Sequence, residues 1–259
     1  MTIWNSGEIN ILSTENFSQL SEQDINGVDL VISDTPIPGG LIYPTKIVFQ
    51  LEVPENLETF LSKFESSKRS SIKKRIRTTE QELETMFLDP IDIETFQKWE
   101  IGYKKFINSL SDGRAYANLE WFKTAQEGHI GIFFVNKQTG EFEGGSLIKK
   151  FTESSKLSMS YAWYSERAKE VGASTTLICK LIEFAISNNY KYISFGQDAN
   201  LYGGHLALGL EEFKSGWKAS ATAANKTEYK YIKVIEPIKN KFKFYFKEGD
   251  NLKLYKSYE

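Results

Sequence analysis

The stretch from Lys169 to Lys218 sets the tightest limit on how this chain folds. Leu177, Ile178, Leu181, Ile182, Phe184, Ala185 and Ile186 make one helical segment apolar around most of its circumference, so it belongs in a core. Asn188-Asn189 stops it, because Asn tolerates the left-handed conformation that ends helices. Tyr192-Ile193-Ser194-Phe195 has the length and composition of a strand, closed by Gly196. A polar, glycine-rich loop then runs to Phe213-Lys214. Polar residues just beyond a buried strand are where α/β folds place ligands, so this loop is the first place to look for a site.

Before that stretch the hydrophobic period changes twice. Residues 1–53 read as short strands and turns, with Asp29–Ser33 and Lys46–Leu51 separated by Pro36, Pro38, Gly39 and Gly40. Leu57, Phe60, Leu61 and Phe64 then fall on one helical face. Helices follow over about Ser67–Glu84 and Ile93–Leu110, the second ended by Ser111-Asp112-Gly113, and a short one over Glu120–Ala125. Ile130–Val135 and Phe142–Lys149 flank a hairpin turn at Asn136–Gly140, and Leu157–Tyr164 alternates as a third strand. A strand pair or strand-helix tail spans Tyr229–Leu254. The expected class is α+β with a mixed, mostly antiparallel sheet flanked by helices. The expected division is a strand-rich segment 1–63 and a domain 64–259.

Composition narrows the chemistry. The 259 residues carry a net charge of −2, so any polyanion must be met by a local patch. The only cysteine, Cys179, lies in the apolar helix and reads as a small core hydrophobe, which argues against covalent thiol catalysis. One cysteine and two histidines, His129 and His205, argue against a metal centre. No segment has the length and apolarity of a membrane span, and the N-terminus lacks a leader pattern, so the expected location is the cytoplasm.

Gly172 opening a helix, a strand ending in Gly196, and Gly209-Leu210-Glu211-Glu212-Phe213-Lys214 together resemble the C-terminal half of GNAT-fold acyltransferases. The nearest branch is the FemABX-like group and its single-domain relatives, and the resemblance runs from about Phe64 to Trp217. It implies a GNAT-like fold that transfers an acyl group directly to an amine. Lys169-Glu170-Val171-Gly172-Ala173-Ser174 then stands where that family has its pyrophosphate loop, with Thr175 adding a hydroxyl. A helix N-terminus suits a phosphate, but Ser and Thr also cap helices with no ligand present. The resemblance carries an active-site role to Phe213 and Lys214 alone.

Other residues are read from their chemistry. Asp198 is the best acidic candidate for a general base and His205 the best imidazole, although Asp also forms turns on its own backbone. Gln197, Asn200 and Tyr202 crowd the same loop, while Tyr164 and Glu166 sit where an acceptor amine can be held. Gly144-Gly145-Ser146 suggests a bulge in its strand. Lys68, Arg69, Lys73, Lys74, Arg75 and Arg77 form a basic run in which Lys73 and Arg77 are candidate contacts to a phosphate-rich substrate; a solvated helix face is the plainer reading.

The leading expectation is an N-acyltransferase using acyl-CoA or a carrier-protein thioester and no metal. Its acceptor would be an amine of a small-molecule, nucleotide-linked or cell-envelope precursor. A FemABX-type enzyme using aminoacyl-tRNA is the alternative within the class. A non-catalytic binding module and a nucleic-acid binder acting through the basic helix stand outside it.

Overall fold

The computed structural model describes residues 1–109, 115–203, 206–225, 227–235 and 240–258. The expected stop at Ser111-Asp112-Gly113 lies outside them. In chain order come β1 (Thr2–Ser6), β2 (Ile9–Thr14), α1 (Glu22–Ile25), β3 (Leu30–Ser33), β4 (Leu41–Pro44) and β5 (Lys46–Glu52). Next are α2 (Leu57–Ser62), α3 (Ser66–Glu82), β6 (Leu83–Leu88), α4 (Ile93–Asn108) and α5 (Leu119–Ala125). Then come β7 (His129–Asn136), β8 (Phe142–Phe151), β9 (Lys156–Tyr164), α6 (Glu166–Val171), α7 (Ala173–Ser187) and β10 (Tyr192–Ala199). The chain closes with α8 (Leu208–Gly216), β11 (Ser220–Ala223), β12 (Tyr229–Val234), β13 (Lys243–Glu248) and β14 (Asn251–Lys256).

These strands form two mixed sheets flanked by helices. Contacts divide the chain into one unit of 1–51 with 196–259 and a second of 52–195. The boundaries fall inside β5 and β10, not at 63/64 as the sequence suggests. The reason is non-local pairing: β12, near the C-terminus, inserts between β3 and β4.

In the first unit one sheet runs β1-β2-β3-β12-β4-β13-β14, and β11 pairs antiparallel with β5. Ile9, Ile11, Leu30, Ile232, Phe242 and Phe244 are sealed in one core cluster of that sheet. Asn240, just before β13, donates to the Glu8 carbonyl at 2.7 Å and so ties the far strands together.

The second unit is built on the order β10-β9-β8-β7-β6. β9 and β10 are parallel over only Tyr192–Ser194 against Lys156–Ser158, and β9 runs on to Tyr164. α3 and α7 pack together, with the Thr79 hydroxyl donating to the Val171 carbonyl at 2.9 Å. α4 packs on the sheet through Phe96, Trp99 and Tyr103 against Phe133 of β7, Leu147 of β8 and Trp163 of β9. Aromatic rings of this size contribute about 1.5–3 kcal/mol each when fully buried.

Three local expectations are corrected. Gly196 does not close the strand: it sits within β10 at φ 85°, a conformation only glycine adopts cheaply, and β10 continues to Ala199. The glycine-rich loop is half helix, since Leu208–Gly216 forms α8. The helix expected to reach Glu84 stops at Glu82, where β6 begins.

Gly102 on α4 shows how close this packing is. A Cβ there would lie 2.1 Å from the Trp163 ring, which is buried and held by its Nε1 donating to the Trp99 carbonyl at 3.0 Å. Gly102→Ala should therefore destabilise the protein by about 1–3 kcal/mol through overpacking, although the same change on an exposed helix face stabilises. Denaturant unfolding of the variant checks the sign.

Candidate active site

A cleft of about 870 Å³ lies in the second unit. Its α4 wall is the stripe Lys98, Ile101, Gly102, Lys105, Phe106 and Ser109, spaced three and four apart along one helix face. Opposite lie Phe142, Glu143, Trp163, Tyr164 and the start of α6. Of the expected site residues, the cleft gathers Tyr164, Glu166 and Lys169. Glu166 stands exposed on the rim, 2.6 Å from Lys169. Tyr164 ends β9, and burial pushes its phenol well above the ordinary tyrosine range, so it stays protonated.

Glu143 was not among the candidates read from the sequence. It is the extra residue of a β-bulge: Phe134 pairs with Gly144 and Val135 with Phe142, leaving Glu143 without an opposite number. Its Oε1 accepts from Asn136 Nδ2 at 3.1 Å, its Oε2 accepts from the Ser165 hydroxyl, and its carbonyl accepts from the Ser165 amide at 2.8 Å. The Gly144-Gly145-Ser146 signal pointed to the bulge but not to the carboxylate beside it.

The expected pyrophosphate loop is a tight corner between two helices. Ser165 caps α6 by accepting from the Ala168 amide, and Gly172 at φ 85° both ends α6 and opens α7. The Gly172 amide bonds back to α6, and the Thr175 and Thr176 amides bond to the Gly172 carbonyl. Arg75 on α3 lays its methylenes over Gly172, where a Cβ would meet them at 2.7 Å, and its guanidinium donates to the Thr175 hydroxyl at 3.3 Å. Gly172, Ala173 and Thr175 are buried, and Ser174 is only partly exposed. On the same helix Lys73 pairs with Glu58 at 3.0 Å, and Arg77 is exposed.

The remaining candidates lie in the first unit. Lys214 and Asp198 form a buried ion pair at 2.6 Å, and the Tyr202 hydroxyl donates to the other Asp198 oxygen at 2.9 Å. Burial pulls the Lys214 amine below the ordinary lysine range, and the Asp198 charge pulls against that. Beside this pair, Lys243 meets Glu211 at 3.3 Å and Glu212 at 2.7 Å, while Tyr245 donates to Glu211 at 2.8 Å. Asn200 is fully committed: it donates to the Pro44 and Tyr245 carbonyls and accepts from the Tyr245 amide, each at 2.7 Å. Phe213 is exposed on α8, and Gln197 lines a cleft of about 200 Å³ with Thr45, Lys46 and Glu228. His205 lies outside the described residues.

No protein-family model and no curated protein matches the sequence. Solved structures do match. FemX aligns with TM-score 0.53 at 12% identity, over 73% of this chain and 61% of its own. L-PGS from Bacillus licheniformis aligns with TM-score 0.51 at 13% identity, over 89% of this chain and 78% of its own. The fold is GNAT-like, shared with FemX and L-PGS over the aligned residues. A tandem GNAT protein from the clavulanic acid biosynthesis pathway aligns more loosely, with TM-score 0.43 at 9% identity over 81% of this chain and 65% of its own. At these identities the likeness is one of fold. Among the described residues of this GNAT-like chain, no cluster of His, Cys, Asp and Glu has the makings of a metal site, and no helix is long and apolar enough to cross a membrane.

Removing one partner of a buried ion pair strands the other. Lys214→Met should cost about 3–5 kcal/mol, whereas Lys214→Met combined with Asp198→Leu should cost clearly less than the sum of the single changes. A double-mutant cycle by denaturant unfolding measures the coupling.

Proposed function

We propose that this chain transfers an acyl or aminoacyl group to an amine held in the cleft at the end of β9. The observation that carries the reading is the cleft itself. It is large enough for a small organic molecule, apolar along Ile101, Phe106, Phe142 and Trp163, and furnished with the Glu143 carboxylate and the Tyr164 phenol. In such a transfer the amine nitrogen attacks the acyl carbonyl, the nitrogen loses a proton and the donor's carrier leaves. Holding the amine against its partner supplies most of what the reaction needs. Cys179 supports direct transfer, because burial pushes its thiol up to about 12 and leaves it inert.

The donor we favour is an aminoacyl ester carried on tRNA. Lys68, Lys73, Lys74 and Arg77 are exposed along α3, which suits a phosphate backbone. The α6–α7 corner has its Gly172, Thr175 and Thr176 amides already bonded and Arg75 lying over it, which suits a coenzyme A diphosphate poorly. An acyl-CoA or carrier-protein thioester is the second reading, favoured by the Arg75 guanidinium and Ser174 at the start of α7.

Titrating tRNA into the protein at increasing salt tests the choice. Binding through Lys68, Lys73, Lys74 and Arg77 should weaken about a hundredfold between roughly 50 and 200 mM salt and disappear when all four are changed to Gln. Calorimetric heat from acetyl-CoA that vanishes in Gly172→Asp would install the thioester donor instead. Silence from both, with no acyl product from any amine, would leave a binding module that keeps the fold.

A further inference from the structure

We propose that the cleft of the second unit is a binding site for a primary ammonium group, anchored on Glu143, whose apolar or aromatic body lies over Trp163 and Phe142. The inference deepens the transfer reading and rests on it only for the fate of the bound amine.

Glu143 is placed for this by the bulge. The extra residue in β8 breaks the alternation of the strand, and Glu143 lines the cleft while Gly144 and Gly145 remain buried in the sheet. Each carboxylate oxygen accepts one hydrogen bond from a neutral donor, the Asn136 amide or the Ser165 hydroxyl. An ionised carboxylate offers about four acceptor positions, so two stay open. Among the described residues no cation pairs with Glu143. A half-buried, positioned and uncompensated negative charge on a cleft wall selects a cation.

Of the other charges lining the cleft, Lys105 stands exposed on the α4 wall with no ion pair among the described residues, and the rest are paired or exposed. Lys98 is paired with Glu94 at 2.7 Å, and Lys169 with Glu166 at 2.6 Å. Glu141 is exposed on the β7–β8 turn. The rings of Phe142 and Trp163 offer apolar surface to the body of the ligand, while the face of Phe106 already holds the Lys169 amine 5.8 Å from its centroid. Tyr164, kept protonated by burial, contributes a neutral phenol and no competing charge. A compact ammonium suits the single carboxylate better than a guanidinium, whose planar fork wants both oxygens free of other donors. The ligand class is therefore a primary amine on a hydrophobic body.

Calorimetric titration with phenethylamine, 2-phenylethanol and 3-phenylpropanoate tests it without any donor. The amine should bind the wild-type protein more tightly than either of the others, and Glu143→Gln should weaken it about tenfold or more while leaving the alcohol unchanged. Ile101→Trp provides a second reading, because Ile101 is exposed on the α4 wall and the change narrows the cleft without touching the Glu143 hydrogen bonds. It should weaken the amine as well, even if Glu143→Gln fails to fold. Equal binding of amine and alcohol, an amine affinity untouched by both variants, or tighter binding of the carboxylate would each overturn the proposal. The last outcome would point to Lys105 as an anion site. Amine binding at Glu143 with no acyl product from any donor would sink the transfer reading and leave this inference standing. Transfer that proceeds equally in Glu143→Gln would do the reverse.

Discussion

The Trp163 ring lies against the backbone of α4 at Gly102, and the architecture of the second unit depends on that approach. It is possible only because position 102 has no side chain. It seals the hydrophobic cluster of Trp99, Tyr103, Phe133 and Leu147 between α4 and the sheet. It also sets the register of β9 beneath α4, so the next residue, Tyr164, and the α6 start at Glu166 emerge at the cleft. Pairing of Gly144 with Tyr164 and Gly145 with Trp163 carries the same geometry across to β8, where the bulge presents Glu143. One close packing contact thus positions both strands that furnish the cleft.

The first unit solves a different physical problem. It buries two lysines, Lys214 and Lys243, and gives each a carboxylate, while Tyr202 and Tyr245 hydroxyls take up oxygens of the same acids. Such networks are costly to desolvate and costlier to break, so they specify one arrangement of α8 on its sheet. Lys214, to which the resemblance carries an active-site role, and Asp198, the acidic candidate for a general base, both sit in such a network. Asn200 is tied in as well, because both of its amide hydrogens and its carbonyl oxygen are bonded to backbone.

Legibility in the sequence followed the range of the interactions. The helix from Ala173 to Ser187, its stop at Asn189 with φ 56°, and strands β7 to β9 are governed by local period and turn chemistry, and those were readable. The insertion of β12 between β3 and β4 joins residues about two hundred positions apart, and no local pattern encodes it. Gly196 misled because a glycine at positive φ inside a strand looks, in sequence, like a glycine that ends one. Tyr164 and Glu166, read as lying just past a half-buried strand, and Lys169, read into the helix-opening loop, all line the cleft of the second unit. Glu143 was missed, since its role comes from a bulge and from donors at Asn136 and Ser165 that the hairpin brings round.

The central claim is that small amines meet this GNAT-like fold at the Glu143–Tyr164 cleft. Amide chemical-shift mapping of the isotopically labelled protein titrated with phenethylamine tests it most directly. The account predicts shifts concentrated at Glu143, Gly144, Tyr164, Ser165 and the Ile101–Phe106 face of α4. Shifts centred instead on Gly172–Thr175, or on the Asp198–Lys214 network, would contradict it.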